Sequence, residues 1–206
     1  MRLYPIKITL YVMLACLALA CTDNTSRLPR LSPDAVILAF GDSLTYGTGA
    51  DRAQSYPLRL AQLIGREVIN AGVPGEVTSS GRQRLPGLLD KYQPGLLILC
   101  HGGNDLLRKL DPNATRNNLQ AMLVAARSRG IPVVLLGVPR PGLFLMKSAE
   151  LYEQLAKEYA MPYEGDIIPA VESDNSLKSD PIHPNEDGYK QIAEAVYRLL
   201  RDSGAL

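Results

Sequence analysis

The stretch AVILAFGDSLTYGTGADR, residues 35–52, decides the fold of this chain. Its first part is a continuous apolar run, which is typical of a strand buried on both faces of a parallel sheet. The run stops at Gly41-Asp42-Ser43-Leu44, and more small residues follow. Ser43 is therefore either the tip of an ordinary turn or a nucleophile placed where a strand bends into a helix.

The same alternation of segments continues along the chain. Apolar runs recur at residues 68–71, 96–100 and 133–138, and a weaker one at Ile167 and Ile168. Between them apolar residues recur at helical spacing, in stripes that begin at Tyr56, Leu119 and Tyr152, with a last stripe from residue 189. Strands that alternate with helices predict an α/β fold, a three-layer α/β/α sandwich with a central parallel sheet of about five strands. We expect it to occupy residues 35–206 as one domain.

The N-terminus has the pattern of an export signal. Residues 1–20, MRLYPIKITLYVMLACLALA, join a basic start to an apolar stretch that is too short to span a membrane. We expect a signal peptide over residues 1–20, a polar tether over 21–34, and lipid attachment at Cys21, which follows a segment similar to a bacterial lipobox. Plain secretion and a buried N-terminal helix are the alternatives. The predicted location is outside the cytoplasm, periplasmic or anchored to a membrane.

Composition excludes several classes of protein. The 206 residues carry a net charge of +1, which gives no electrostatic case for binding nucleic acid. The cysteines are Cys16, Cys21 and Cys100, and Cys100 ends an apolar run, so we expect a buried thiol there. No spacing of Cys and His indicates a metal site, and we expect neither metal nor cofactor. We expect a monomer, because no second interface pattern is visible.

Residue types suited to catalysis follow the strands. In parallel sheets the strand C-termini and the loops after them form the site. The chain has only two histidines, His101 and His183. Asp180 lies three residues before His183, close enough to bind one ring nitrogen while the other faces Ser43. His101 has no such carboxylate, so we interpret it as structural or as part of a pocket wall.

Acyl transfer to a serine also requires donors for the oxyanion. Gly75 offers a backbone N–H from the loop after the second run, and Asn104 offers its side-chain amide from the loop after the third. The N–H of Ser43 is the remaining candidate. We further expect Pro184 to lie in the first turn of the last helix.

Four blocks, FGDSLTYG, NAGVPGEVTSSG, HGGNDLLR and DPIHPNEDGY, resemble those of the SGNH, or GDSL, hydrolases. The similarity covers about residues 35–202 and is greatest to the bacterial branch of multifunctional acyl-CoA thioesterases, lysophospholipases and arylesterases. It implies a flavodoxin-like fold and a serine esterase that acts on aryl esters, acyl-CoA or lysophospholipids. It implies Ser43 as nucleophile with Asp180 and His183, and an oxyanion hole of Ser43, Gly75 and Asn104.

The resemblance also implies smaller roles and leaves alternatives. It favours Gly75 over Gly72 as an oxyanion donor, gives Asp42 a role in holding the turn, and implies that residues 139–147 cover an apolar acyl pocket. An O-acetylesterase acting on carbohydrates would use the same blocks. A non-catalytic protein that binds lipid or glycan on this scaffold is the other alternative, since function is a property of the site and not of the fold.

Overall fold

Five parallel strands form one sheet in the order β2-β1-β3-β4-β5. The computed structural model describes residues 26–140 and 147–206, so the predicted signal peptide and Cys21 lie outside the described residues. The strands are β1 Ile37–Gly41, β2 Val68–Gly72, β3 Leu96–Cys100, β4 Val133–Leu136 and β5 Tyr163–Glu164. Gly41 aligns with Gly72 and with Cys100, so the first three strands end together at one edge.

The helices connect consecutive strands or follow the last one. They are α1 Ser43–Tyr46, α2 Tyr56–Ile64, α3 Thr78–Tyr92, α4 Gly103–Leu107, α5 Pro112–Arg127, α6 Glu150–Glu158, α7 Ile167–Ser173 and α8 Glu186–Asp202, with short 3₁₀ turns at Arg52–Gln54 and Asn175–Leu177. The helix α2 packs against α8, and α3 packs against α5. The connection from β1 to β2 runs in one direction across the sheet, and the connection from β2 past β1 to β3 runs in the opposite direction. Since such crossovers are right-handed, they place the two helix pairs on opposite faces of the sheet. The predicted three-layer α/β/α sandwich with five parallel strands is confirmed.

Burial explains which strands the sequence could reveal. Every residue of β1 and of β3 is buried, as expected for central strands covered by helices on both faces. The predicted buried thiol is also confirmed, since Cys100 has no exposed surface and no disulfide partner within residues 26–140 and 147–206. The pair β4 and β5 lies at the other side of the sheet, and β5 is a half-buried edge strand.

Two details of the sequence prediction are wrong. Ile167 and Ile168 do not form a strand; they begin α7, and the fifth strand is the preceding Tyr163–Glu164. Two apolar residues are too few to show whether apolar positions repeat at the spacing of a strand or of a helix. Ile168 is buried as part of the helix. Pro184 is not in the first turn of the last helix, because α8 begins at Glu186 after its cap residue Asn185.

The chain before β1 lies on the edge of the sheet where the strands begin. The N–H of Leu28 donates to the carbonyl of Ser203 at 2.8 Å, and the N–H of Leu31 donates to the carbonyl of Ala205 at 2.9 Å. Leu31 is buried in the core, and Arg66 before β2 donates to the Ser32 carbonyl at 3.1 Å. Residues 28–31 thus form a strap that crosses the end of α8. In the described ranges, no helix has the length and apolar character needed to cross a bilayer.

Candidate active site

Ser43, His183 and Asp180 form one row of hydrogen bonds at the edge where the strands end. His183 Nε2 lies 3.1 Å from Ser43 Oγ, and His183 Nδ1 lies 2.7 Å from Asp180 Oδ2. The serine follows β1 and begins α1, whereas the other two residues come from the loop before α8. The structure therefore brings together three residues that span 140 positions of the chain. A hydroxyl, an imidazole and a carboxylate in this order suit proton transfer from the hydroxyl to the imidazole.

The second oxygen of Asp180 organises the backbone of its own loop. Asp180 Oδ1 accepts hydrogen bonds from the N–H groups of Ile182 at 2.9 Å and His183 at 2.8 Å. Partial burial raises the pKa of the carboxyl, but the bonds from the His183 ring and from these N–H groups outweigh it and hold the pKa below its usual value. The carboxylate is thus ionised at neutral pH and fixes Nδ1 as the protonated ring nitrogen. Nε2 is then free to accept the Ser43 proton.

Short-range contacts close the loop that carries His183. Ser179 N–H donates to the His183 carbonyl at 2.9 Å, and Asn185 N–H donates to the Leu177 carbonyl at 2.8 Å. Asn185 then caps α8 by accepting a hydrogen bond from Gly188 N–H at 3.1 Å. Because the cap directly follows the loop, the start of α8 sets the position of the imidazole.

Gly49 allows the His183 loop to approach the segment after α1. Its φ of +100° is in the region that favours glycine. A Cβ there would lie 2.2 Å from Ser179 Oγ, 2.5 Å from the Pro184 carbonyl oxygen and 3.1 Å from His183 Cβ. Any larger residue would push the imidazole loop away from Ser43.

Of the three predicted oxyanion donors, two line the cavity beside the serine. Ser43 and Asn104 are in its wall, whereas Gly75 is not among its lining residues. Asn104 is held by a hydrogen bond from its Nδ2 to the Glu76 carbonyl at 3.0 Å, which ties it to the loop containing Gly75. Gly75 has a φ of +77°, and its carbonyl accepts a hydrogen bond from Arg108 at 2.9 Å. Asp42 caps α1 by accepting a hydrogen bond from the Leu44 N–H at 3.2 Å.

A partly buried cluster of polar and charged side chains, which the sequence did not reveal, adjoins Asn104 through Glu76. Glu76 accepts hydrogen bonds from Arg84 at 2.6 and 2.9 Å, and its Oε2 lies 3.0 Å from His101 Nε2. The Gly102 N–H donates to His101 Nδ1 at 2.9 Å, so the ring proton is on Nε2 and His101 donates to Glu76. His101 has no exposed surface and is absent from the cavity wall. Its place is structural, supporting the loop that holds Asn104.

The charge state of Glu76 follows from this cluster. Burial raises the pKa of the carboxyl, but the hydrogen bonds from His101 and Arg84, with the charge of Arg84, outweigh burial and lower the pKa to about 2. Arg84 also donates to the Ala71 carbonyl at 3.1 Å and lies over the Phe40 ring at 4.2 Å. Glu76 is therefore an ionised anchor that connects the ends of β1, β2 and β3 at the site.

The cavity beside Ser43 has a volume of about 220 Å³. Most of its wall is apolar, contributed by Leu44, Leu107, Val138, Pro139, Pro181 and Ile182. Two carboxylic acids, Asp42 and Glu172 of α7, are part of the same wall. Of the segment expected to cover an acyl pocket, Pro139 lines the cavity, and residues 141–146 lie outside the described residues.

No cluster of three or more metal-ligating side chains occurs within residues 26–140 and 147–206. Burial raises the pKa of the Cys100 thiol, which disfavours the thiolate that nucleophilic or metal chemistry would need. Among the described residues that line the cavity, Ser43 is the hydroxyl that lies within hydrogen-bonding distance of an imidazole.

Comparison with known proteins agrees with this geometry. Residues 39–191 match the model of the GDSL-like Lipase/Acylhydrolase family. Esterase TesA of Pseudomonas aeruginosa is 28% identical over 175 residues, which cover 80% of this chain and 87% of TesA. Thioesterase 1/protease 1/lysophospholipase L1 of Escherichia coli K12 is 29% identical over 176 residues, covering 80% and 83% of the two chains. The crystal structure of AlinE4, an SGNH-hydrolase family esterase, superposes with a TM-score of 0.63 at 33% identity and covers 84% of this chain and 98% of AlinE4.

The family match spans most of the described chain, and it includes Ser43, His183 and the other residues that line the cavity. The resemblance inferred from the four sequence blocks is confirmed, and so is the class of reaction. This chain belongs to the GDSL-like lipase/acylhydrolase, or SGNH, family and is a carboxylic ester hydrolase.

Proposed function

We propose that Ser43 is the nucleophile of this esterase, with His183 as general base and Asp180 as the group that orients it. The observation that carries the proposal is the continuous pair of hydrogen bonds, 3.1 Å from Ser43 to His183 and 2.7 Å from His183 to Asp180. Both distances are within the range required for proton transfer.

The reaction then has two halves. Ser43 Oγ attacks the ester carbonyl carbon while its proton moves to His183 Nε2, and Asp180 stabilises the imidazolium that forms. The tetrahedral intermediate collapses, the leaving oxygen or sulfur takes the proton from Nε2, and an acyl-serine remains. Water, deprotonated by the same nitrogen, attacks the acyl carbon and releases the acid and free Ser43.

The oxyanion of each tetrahedral intermediate requires fixed donors. We assign this role to the N–H groups of Ser43 and Gly75 and to the side-chain amide of Asn104. The hydrogen bond from Asn104 to the Glu76 carbonyl uses one N–H of that amide, and the other remains available. The cluster of Glu76, Arg84 and His101 supports this role, because it fixes the loop to which Asn104 is hydrogen-bonded.

For substrates we propose small aryl esters, acyl thioesters such as acyl-CoA, and lysophospholipids. The names of the relatives from P. aeruginosa and E. coli support this range. The apolar wall favours an apolar acyl group, and a cavity of about 220 Å³ is smaller than most ligand sites, so we expect short acyl chains to react fastest.

The test of the nucleophile is hydrolysis of phenyl acetate and phenyl butyrate by the wild type and by Ser43→Ala. We expect the variant to lose nearly all turnover and all labelling by a fluorophosphonate probe. Ser128→Ala is the matched control, because Ser128 is an exposed serine at the end of α5 and far from the site. Turnover that survives Ser43→Ala would refute the assignment.

We further propose that residues 1–20 are an export signal, that Cys21 carries lipid, and that residues 35–206 form the hydrolase domain. The basic start, the apolar stretch and the position of Cys21 support this division. A Cys21→Ser variant should leave the membrane fraction when the protein is produced with its own leader. Full retention of this variant in membranes would contradict lipid attachment at Cys21.

A further inference from the structure

A carboxylic acid outside the hydrogen-bonded row of Ser43, His183 and Asp180 forms part of the cavity wall. Glu172, near the end of α7, lines the same cavity as Ser43 and His183. The residue is only 7% exposed, although its neighbours in the wall are mostly apolar. Acidic side chains are almost never buried to this degree without a partner.

Within residues 26–140 and 147–206, no group donates a hydrogen bond to the Glu172 carboxyl. Asp42 Oδ2 is the one described side-chain oxygen that lacks both a partner and solvent access, so the unpaired Glu172 oxygens keep some accessible surface, and the residue lines the cavity. A purely structural acid would be expected to bind the backbone or a cation, as Glu76 does. Glu172 instead presents an unused hydrogen-bonding group to whatever enters the cavity.

The ionisable groups around Glu172 come from four directions. Asp42 faces it from the junction of β1 and α1, Lys178 from the loop after α7, Cys100 from the end of β3 and Tyr189 from α8. His183 lies across the cavity. Of the lysines and arginines in the described part of the chain, Lys178 alone acts on Glu172 through its charge, and the two form no ion pair.

This environment determines when Glu172 is charged. Burial raises the pKa of the carboxyl, Lys178 partly counteracts this, and Asp42 raises it further, to about 8 in all. Glu172 is therefore a neutral hydrogen-bond donor and acceptor at pH 6.5 and a carboxylate at pH 9.5.

We propose that Glu172 is a specificity-determining residue of the acyl site, where its carboxyl selects between apolar acyl chains and chains that carry a hydroxyl. The proposal rests on the proposed function, since it assumes that the acyl group occupies this cavity. An apolar chain packs well against a neutral carboxyl, but it strips water from a carboxylate and returns no hydrogen bond. A hydroxyl on the chain donates to the carboxylate, so ionisation of Glu172 shifts preference toward hydroxyacyl esters.

The experiment is a competition between phenyl butyrate and phenyl 3-hydroxybutyrate in one reaction, from pH 6.5 to pH 9.5. The ratio of the two products gives the ratio of kcat/KM values. The phenol leaving group is the same in both substrates, so its contribution cancels from this ratio. Active enzyme is counted with a fluorophosphonate, so that misfolded protein does not contribute.

For the wild type we expect the preference for the hydroxyacyl ester to rise about tenfold across this range, which is within the range expected when one buried polar group is left without a hydrogen-bond partner. Glu172→Gln should give a ratio independent of pH, because the amide cannot ionise. Glu172→Leu should also be flat and should favour butyrate throughout. Glu67 is exposed at the opposite edge of the sheet, so the control variant Glu67→Gln should retain the wild-type change of the ratio with pH.

The outcomes separate the two levels of inference. If neither ester is hydrolysed in a way that depends on Ser43, the proposed function fails. If both are hydrolysed but the wild-type ratio is constant with pH, or Glu172→Gln keeps the shift, the assignment of Glu172 is wrong and the acyl chain does not reach this carboxyl.

Discussion

Glu76 should act as a pH-dependent stabiliser of the loop that adjoins the proposed oxyanion site. Its side chain is 7% exposed, and its pKa falls from 4.5 to about 2 through hydrogen bonds from His101 and Arg84. Each pKa unit between the unfolded and the folded state is worth about 1.36 kcal/mol. Ionised Glu76 therefore stabilises the folded state by about 3 kcal/mol above pH 4.5. Because the pKa is lowered, this contribution is present at neutral pH and is lost as the pH falls toward 2.

The perturbation is Glu76→Gln, which resembles the neutral carboxyl. We expect the free energy of unfolding to fall by about 3 kcal/mol at pH 7 and by only about 1.4 kcal/mol at pH 3, where the wild type has lost part of the same stabilisation. Urea unfolding at both pH values, monitored by far-UV circular dichroism, measures the difference. The change with pH is the diagnostic quantity, since general damage to packing would lower stability equally at both.

Glu153→Gln is the matched control. Glu153 pairs with Lys157 on the exposed face of α6, and such pairs contribute about 0–1 kcal/mol. We expect little change at either pH. If Glu76→Gln and Glu153→Gln behave alike, or if the cost of Glu76→Gln is the same at pH 7 and pH 3, the reasoning from the buried cluster is refuted.

Three further substitutions test the site from other directions. Asp180→Asn should lower kcat by on the order of 10³–10⁴ with little change in KM, because the imidazole loses its orienting carboxylate; steady-state hydrolysis of phenyl acetate measures it, and a loss below tenfold would contradict the role. Gly49→Ala should lower kcat by about 10²-fold by displacing His183, whereas Gly87→Ala, where a Cβ would contact nothing, should not. Tyr152→Phe removes the 2.9 Å hydrogen bond to the His101 carbonyl and should cost about 1–3 kcal/mol in urea unfolding; an unchanged midpoint would contradict this.

The central strands and the main helical faces could be predicted because burial leaves a direct mark on sequence. The strands β1 and β3 are covered on both sides and are therefore continuously apolar. The helix α3 left no such mark. It contains Gly81 and Pro86, and it was not among the predicted helices. Gly81 is required there because a Cβ would lie 2.4 Å from His101 Nε2, a contact that exists only in the folded chain.

The candidate site likewise contains contacts that the sequence reveals and contacts that it does not. Asp180 and His183 are three residues apart, so their hydrogen bond is local, and a chain with two histidines offers few choices of base. The Glu76 cluster joins residues 76, 84 and 101, which follow β2, lie within α3 and follow β3. No spacing along the sequence encodes that contact. The buried Glu172 was missed for the same reason, since α7 itself was not predicted and its acid could not be placed in the cavity.

The strap at residues 28–31 determines how an N-terminal anchor would orient the enzyme. It is bound to the end of α8 at Ser203 and Ala205, on the edge where the strands begin. The cavity beside Ser43 lies at the opposite edge, and α8 alone, with 17 residues, separates the two by about 25 Å. A chain held through Cys21 would therefore present its cavity away from the membrane that holds it.

This orientation predicts that attachment does not restrict access for soluble substrates. The lipid-bearing chain in membrane vesicles and the Cys21→Ser chain in solution should hydrolyse phenyl acetate with the same kcat/KM when both are counted by fluorophosphonate titration. For lysophospholipid presented in the anchoring bilayer itself, we expect the attached enzyme to gain no advantage over the soluble form despite its proximity, because its cavity would face away from that bilayer. A large gain for the attached enzyme on lipid of its own bilayer would mean that the cavity faces the membrane, and the strap would then have to detach from Ser203 and Ala205.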